Sequence, residues 1–157
     1  MLHKIEKWID QTNVEYKQQR ICCAKFFSEF EGFYPLAFLE QAYFVVVDEI
    51  PKPDFPELRQ MGFGSFMDMQ AGGITYKDTY YVLRHNVSSL RLHFHELVHV
   101  AQWAHLGAQD FILRYMDEIQ TFGYHESPLE KMAYALDANF SEGGAKIDIP
   151  SYVVRNI

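Results

Sequence analysis

The sequence predicts an α+β fold that is mostly helical and contains a small mixed β-sheet. Apolar residues recur at helical spacing along much of the chain. Two stretches are rich in β-branched and aromatic residues, as in strands, and glycine or proline clusters separate the segments. The length of 157 residues, with 48% hydrophobic and 16% aromatic residues, suits one core. We therefore expect a single domain over residues 1–157.

The first half of the chain predicts helices followed by one buried strand. The strand is predicted where Tyr43–Val47 reads YFVVV, a β-branched and aromatic run. Residues 48–66 hold three prolines and two glycines, which is typical of a surface loop. The predicted helical segments are an amphipathic helix from Leu2, a helix over 14–30 that ends near Gly32, one or two turns over 36–41, and a short helix over 56–60.

The second half predicts one further strand and three helices. Gly72 and Gly73 form a turn that leads into the predicted strand ITYKDTYYVLR. Residues 143–157 are expected to add a strand or to lie over the surface or the cleft. The predicted helices are one capped by Ser88 or Ser89 and ended by Gly107, one over 110–120, and one from Ser127-Pro128 to about Phe140.

Charge and cysteine content exclude several classes of protein. The net charge is −7 and the basic residues form no stripe, so we expect no nucleic-acid partner. No stretch approaches the roughly 20 apolar residues that span a bilayer, so we expect no membrane partner. Cys22 and Cys23 are adjacent and cannot easily staple a fold. Together with an N-terminus that has no signal-peptide pattern, they favour a cytoplasmic location.

The stretch HFHELVHVAQWAH, residues 93–105, carries a possible metal site. His95 and His99 are separated as in HExxH, and on a helix they lie about 40° apart and roughly one turn along the axis, so both imidazoles can reach one ion. Glu96 is about 100° from His95, which keeps it off the metal but near a water bound there. Such nitrogen donors suit Zn²⁺, and nickel, cobalt and iron accept them too.

A catalytic zinc ion usually has three protein ligands, so a third is needed. His105 is one candidate, but on a continuing helix it lies about 120° from His99 and roughly 9 Å further along. Gln102 stands where a glycine would be needed to turn the chain back. Glu130, on the last predicted helix, is the favoured candidate, and Glu126, which precedes that helix and would be more mobile, is the alternative.

Glu130 also has a purely structural interpretation. The run Ser127-Pro128-Leu129-Glu130 is S-x-x-E, the pattern of a helix capping box, in which the glutamate would bond the helix start. The two roles compete for one carboxylate. We favour the ligand role, because the histidine pair requires a third donor from some part of the chain.

The histidine motif and the helix downstream of it together resemble a known family. HExxH with Glu-x-x-Ala about thirty residues later on a second helix resembles the gluzincin arrangement of zincin metallopeptidases. The pattern HELVHVAQW…SPLEKMAY is similar to small bacterial metallopeptidase-like proteins and minimal single-domain gluzincins. The resemblance covers residues 74–139 and implies zinc held by His95, His99 and Glu130.

The resemblance also implies features around the metal. Residues 74–83 would form the edge strand that borders the motif helix, and an extended peptide would lie along it. Many gluzincins have an aspartate four residues after the glutamate ligand, where this chain has Tyr134. Asp137 or Tyr134 itself is therefore expected to support a ligand histidine. Tyr124 and His125 are candidates to stabilise a transition state.

The predicted function is that of a zinc-dependent peptidase acting on a peptide or protein substrate. Glu96 would be the general base that activates a zinc-bound water for attack on a peptide bond. One alternative is a latent or non-catalytic zinc-binding scaffold with the same fold. The other is a helical interaction module that binds no metal.

Overall fold

Eight α-helices and one mixed sheet make up the structure, a computed structural model that describes residues 1–157. The elements in chain order are α1 (Leu2–Glu15), β1 (Ile21–Cys22), α2 (Leu36–Leu39), β2 (Tyr43–Val47), α3 (Pro56–Leu58), α4 (Gly64–Asp68), β3 (Gly73–Tyr76), β4 (Thr79–Leu83), α5 (Leu90–Leu106), α6 (Ala108–Phe122), α7 (Pro128–Ser141) and α8 (Ile149–Asn156). The predicted α+β class is confirmed. None of the helices combines the length and the apolar character needed to cross a bilayer.

The sheet has four strands in the order β1-β2-β4-β3. β2 and β4 run parallel, and β1 and β3 are antiparallel to their neighbours. The single strand predicted over residues 74–83 is wrong, because the segment is a hairpin of β3 and β4. Its turn lies at Lys77, the one non-glycine residue with a positive φ, at 63°. Of the two strands of the hairpin, β3 is the one at an edge of the sheet, and it packs against α5 as expected.

The helix predicted over residues 14–30 is also wrong. α1 ends at Glu15, and short 3₁₀ turns and β1 occupy most of the segment. The backbone N–H of Cys23 instead donates to the carbonyl of Ala42, and β1 pairs with β2. Phe30 is completely buried in the core. Packing of this aromatic segment and its pairing with the sheet override its helical propensity.

α5 lies at the centre of the molecule. Ser89 caps its start, since the Ser89 hydroxyl accepts from the N–H of Leu92, and Gly107 follows its end, as predicted. Every residue from His93 to Trp103 is buried. One hydrophobic cluster joins α5 to α7, α8 and one face of the sheet, and a second joins its end to α1, α6 and the other face. A helix enclosed on all sides carries its polar side chains into the interior.

The C-terminal segment forms α8, which packs against α5. Ile149 and Val153 are both completely buried in the cluster that contains Val98. Asp148 caps α8, because its Oδ1 accepts from the N–H of Ser151 at 3.0 Å. No residue of 143–157 lines the cavity beside His99. The segment therefore contributes to the core and does not lie over the cleft.

The substitution Ile149→Ala tests the contribution of α8 to the core. We expect the free energy of unfolding to fall by about 2–5 kcal/mol, because the change leaves a cavity in a closely packed cluster. Chemical denaturation measures the change. Val154→Ala is the matched control: Val154 is on the same helix but 54% exposed, and such surface changes stay within about 0.5 kcal/mol. Equal stability of the two variants would contradict this placement of α8.

Candidate metal centre

Three side chains with metal-binding atoms converge between α5 and α7. His95 and His99 lie on successive turns of α5, and Glu130 is in the first turn of α7. Oε1 of Glu130 lies 3.1 Å from Nε2 of each histidine. The candidate ligand atoms are all within 4.8 Å of one another, and all three residues are buried. Two imidazole nitrogens and a carboxylate oxygen fit a metal ion, so this cluster could hold one.

Both histidines are oriented by hydrogen bonds at their second nitrogen. Nδ1 of His95 lies 2.8 Å from Oδ2 of Asp137, and Nδ1 of His99 lies 2.7 Å from Oε1 of Gln102. Because both oxygens accept, each Nδ1 is the donor, and Nε2 is left to face Glu130. The prediction that Asp137 supports a ligand histidine is confirmed. The sequence showed only that Gln102 occupies the position where a turn would need glycine. Its hydrogen bond to His99 was not predicted.

Glu130 does not form the capping box that its sequence pattern allows. The Ser127 side chain makes no bond to the start of α7 and donates instead to the carbonyl of Gly123 at 2.7 Å. Oε1 of Glu118 accepts from the N–H of Leu129 at 2.8 Å and so caps α7 from α6. Glu130 is therefore free to face the histidines, and sequence reasoning missed the part played by Glu118.

The second oxygen of Glu130 is held by a tyrosine. The hydroxyl of Tyr115, on α6, donates to Oε2 of Glu130 at 2.6 Å. Oε1 is then the oxygen nearest the histidines. The sequence contains no signal for Tyr115, because its relation to Glu130 depends on how α6 packs against α7.

The other candidate ligands lie outside the cluster. His105 is exposed in the last turn of α5. Glu126 is exposed and pairs with Lys131 at 3.0 Å. His93 is buried elsewhere, with Nδ1 2.6 Å from the hydroxyl of Tyr80. The structure thus brings together His95, His99 and Glu130 and none of the alternatives.

The two candidates for transition-state stabilisation differ in position. Tyr124 lines the cavity next to the cluster, whereas His125 is exposed and outside it. The hydroxyl of Tyr124 lies 3.5 Å from that of Tyr134. The Tyr134 ring packs on His95, with 4.5 Å between the ring centres. Tyr124 is therefore the candidate that geometry supports.

Glu96 is next to the cluster but outside the ligand set. Its Oε2 lies 4.0 Å from Nε2 of His95. Its Oε1 accepts from the Thr75 hydroxyl at 2.9 Å. A Cβ at Gly73 would lie 3.3 Å from both Cγ and Cδ of Glu96, so the glycine leaves room for this side chain. Thr75 and Gly73 belong to β3; the strand was expected beside the motif helix, but nothing in the sequence singles out these two residues as neighbours of Glu96.

The buried carboxylates of the cluster favour positive charge on or beside the two histidines. Burial disfavours the charged form of His95, but Asp137 and Glu130 outweigh it and raise the pKa of His95 to about 10. At His99, too, the negative charge of Glu130 outweighs the effect of burial, so the pKa of His99 is raised. For Glu130, burial acts against ionisation, yet the two histidines hold its pKa well below the ordinary value. The carboxylates thus attract positive charge to the point where the ligand atoms meet.

The cluster borders a cavity of about 90 Å³. Of its 23 lining residues, 17 are hydrophobic. Glu96, His99 and Glu130 all contribute to its wall. A molecule that enters this cavity would therefore contact both the candidate metal ligands and Glu96.

The substitution Glu130→Gln tests the ligand set. We expect metal affinity to fall by more than the ~10–100-fold that results from loss of an outer hydrogen bond to a ligand, because a direct donor loses its charge. Competition with a coloured chelator, on protein without a histidine tag, measures the affinity. Glu126→Gln is the matched control and should bind metal as the unchanged protein does. An equal loss in both variants would show that the third ligand is assigned wrongly.

Comparison with known proteins gives no relative for this arrangement. No protein-family model matches the chain, and neither a curated protein nor a solved structure matches it. The geometry of the buried cluster is therefore the basis for assigning a function.

Proposed function

We propose that the protein is a zinc-dependent peptidase of the gluzincin type. The observation that carries the proposal is the meeting of His95, His99 and Glu130 at one point, with Glu96 beside them and outside the ligand set. This is the division of roles that HExxH hydrolysis needs: two histidines bind the metal, and the glutamate between them remains free as a base. The proposed substrate is a peptide or protein.

Zinc is the proposed metal because of the donor set. Catalytic zinc sites of this kind use two histidines and one glutamate and leave one position open. When bound, zinc would polarise a substrate carbonyl and lower the pKa of a water molecule to about 7. The residues that would hold it are His95, His99 and Glu130, with Asp137 and Gln102 fixing the two imidazoles.

Glu96 is proposed as the general base and then the general acid. Burial raises its pKa above the ordinary value for a glutamate, which increases its tendency to take a proton. Thr75 holds Oε1, while Oε2 is on the side of His95. Glu96 would accept a proton from the attacking water as the oxygen–carbon bond forms. It would return that proton to the amine nitrogen as the carbon–nitrogen bond breaks.

Tyr124 is proposed to stabilise the charge that develops on the carbonyl oxygen. Burial and the negative charge of Glu130 raise the pKa of its hydroxyl, so the group stays protonated and can donate a hydrogen bond. Tyr115 is less suited to this role, because its hydroxyl already donates to Glu130.

The edge of the sheet supports a peptide as the substrate. β3 pairs with β4 on one side only, which leaves its other edge unpaired. β3 also carries Gly73 and Thr75, which contact Glu96. An extended peptide that added to this edge by backbone hydrogen bonds would lie close to the base.

A non-catalytic zinc-binding scaffold is the second candidate. The observation in its favour is the burial of the cluster, since His95, His99 and Glu130 are only 4%, 5% and 2% exposed. Structural zinc sites are closed, whereas catalytic ones keep a position open for water or substrate. The cavity next to the cluster favours the peptidase.

The substitution Glu96→Gln separates binding from catalysis. We expect metal affinity to be retained and kcat/KM to fall by about 10²–10⁴-fold, the usual contribution of a general base. The assay uses a mixed peptide library with zinc-loaded protein. Glu142→Gln, an exposed change at the far end of α7, is the control. Zinc binding without cleavage by the unchanged protein would favour the scaffold, and full activity of Glu96→Gln would contradict the mechanism.

The substitution Gly73→Ala tests the positioning of Glu96. The added Cβ would lie 3.1 Å from the carbonyl oxygen of Tyr81 and 3.3 Å from the Glu96 side chain, which must then shift. We expect kcat to fall by up to about 10²-fold, as displacements near 1 Å can cost this much, with metal affinity unchanged. Gly64→Ala is the control, because its Cβ would meet only Arg59, at 3.9 Å. A normal kcat in Gly73→Ala would contradict this role.

A further inference from the structure

The cavity beside the metal centre has walls from distant parts of the chain. α1 contributes Ile5 and Ile9, and β3 and the end of α5 contribute Ile74 and Trp103. The remaining hydrophobic wall residues come mainly from residues 58–71 and α6. The metal centre forms only one end of this space, so most of the cavity is not explained by metal binding.

The wall contains no lysine or arginine. Apart from the hydroxyls of Tyr76, Tyr115 and Tyr124 and the N–H of Trp103, its polar side chains are Thr75, Glu96, His99 and Glu130, and each of these four belongs to the centre or contacts it. A charged group placed among the apolar residues would lose its hydration without gaining an opposite charge. The apolar part of the cavity thus selects against charged groups of either sign.

The volume of the cavity indicates the size of group that it can take. About 90 Å³ is roughly the space of three water molecules at ~30 Å³ each, which suits one bulky side chain. Transfer of a leucine, methionine or phenylalanine side chain from water into such a site favours binding by about 10- to 100-fold.

We propose that this cavity is a specificity pocket for one bulky, uncharged, apolar side chain of the substrate, next to the bond that is cleaved. The proposal rests on the proposed peptidase function. Because Ile5 and Ile9 belong to its wall, α1 takes part in substrate selection although it lies far from the HExxH motif in sequence.

The first test is cleavage of a peptide library by the zinc-loaded full-length protein. We expect leucine, methionine or phenylalanine at one position beside the cleaved bond, favoured over aspartate and glutamate by at least about 10-fold. Cleavage with no preference at either neighbouring position would overturn the pocket and leave the peptidase function standing.

Two variants test whether the wall of the cavity determines the side-chain preference beside the cleaved bond. Met116→Arg places a positive charge in the wall and should shift the preference towards aspartate and glutamate. Ala71→Phe fills part of the space and should shift it towards glycine and alanine. Leu113→Arg is the matched control for charge, since Leu113 is on α6 but 53% exposed and outside the wall. Metal content and circular dichroism show that each variant is folded. An unchanged preference in both folded wall variants would contradict the proposal.

A binding experiment separates the pocket from catalysis. N-acetyl-phenylalanine amide and N-acetyl-glycine amide are titrated into the zinc-loaded Glu96→Gln protein by calorimetry. We expect the phenylalanine compound to bind at least about 10-fold more tightly, and Ala71→Phe to abolish the difference. This result without any peptide cleavage by the unchanged protein would reject the peptidase function and keep the pocket. Equal binding of the two compounds would reject the pocket.

Discussion

Three carboxylates are buried where α5 meets its neighbours, and the rest of the structure depends on how their charge is balanced. Glu96, Glu130 and Asp137 are 4%, 2% and 3% exposed. Isolated buried charges are strongly unfavourable, so each needs partners. Asp137 pairs with Arg91 at 2.7 Å and with His95, and Glu130 lies between two histidines. The cluster needs positive charge, and a divalent metal ion bound where the ligand atoms meet would supply it.

This charge balance requires α5 and α7 to pack in one register. Gln102 links the two helices, because its Oε1 accepts from His99 and its Nε2 donates to the carbonyl of Leu129 at 3.0 Å. The N–H of Leu129 is bound in turn by Glu118. One residue at the start of α7 is thus fixed from both α5 and α6. Glu130, the next residue, is thereby held with its carboxylate against the histidines.

A feature of the site could be predicted from the sequence when residues close together in the chain determine it. His95 and His99 could be predicted to share a metal, because four residues of helix alone set their spacing. Glu130 could be predicted from the need for a third donor on a second helix. Thr75 and Tyr115 could not be found, because their roles arise when β3 and α6 pack beside the cluster. The β3–β4 hairpin was missed because Lys77 adopts a positive φ without a glycine.

The apolar cavity and the charged cluster reinforce each other. Apolar walls keep the local dielectric low, which makes the attraction between Glu130 and the histidines, or a metal, stronger than at a surface. The same burial raises the pKa of Glu96, which favours its uptake of a proton. An apolar side chain entering the cavity would exclude bulk water, though not the reacting water, from the space around Glu96 and strengthen both effects. Residues of α1 such as Ile9, which are remote from the motif in sequence, would then act on the chemistry by controlling which groups can displace that water.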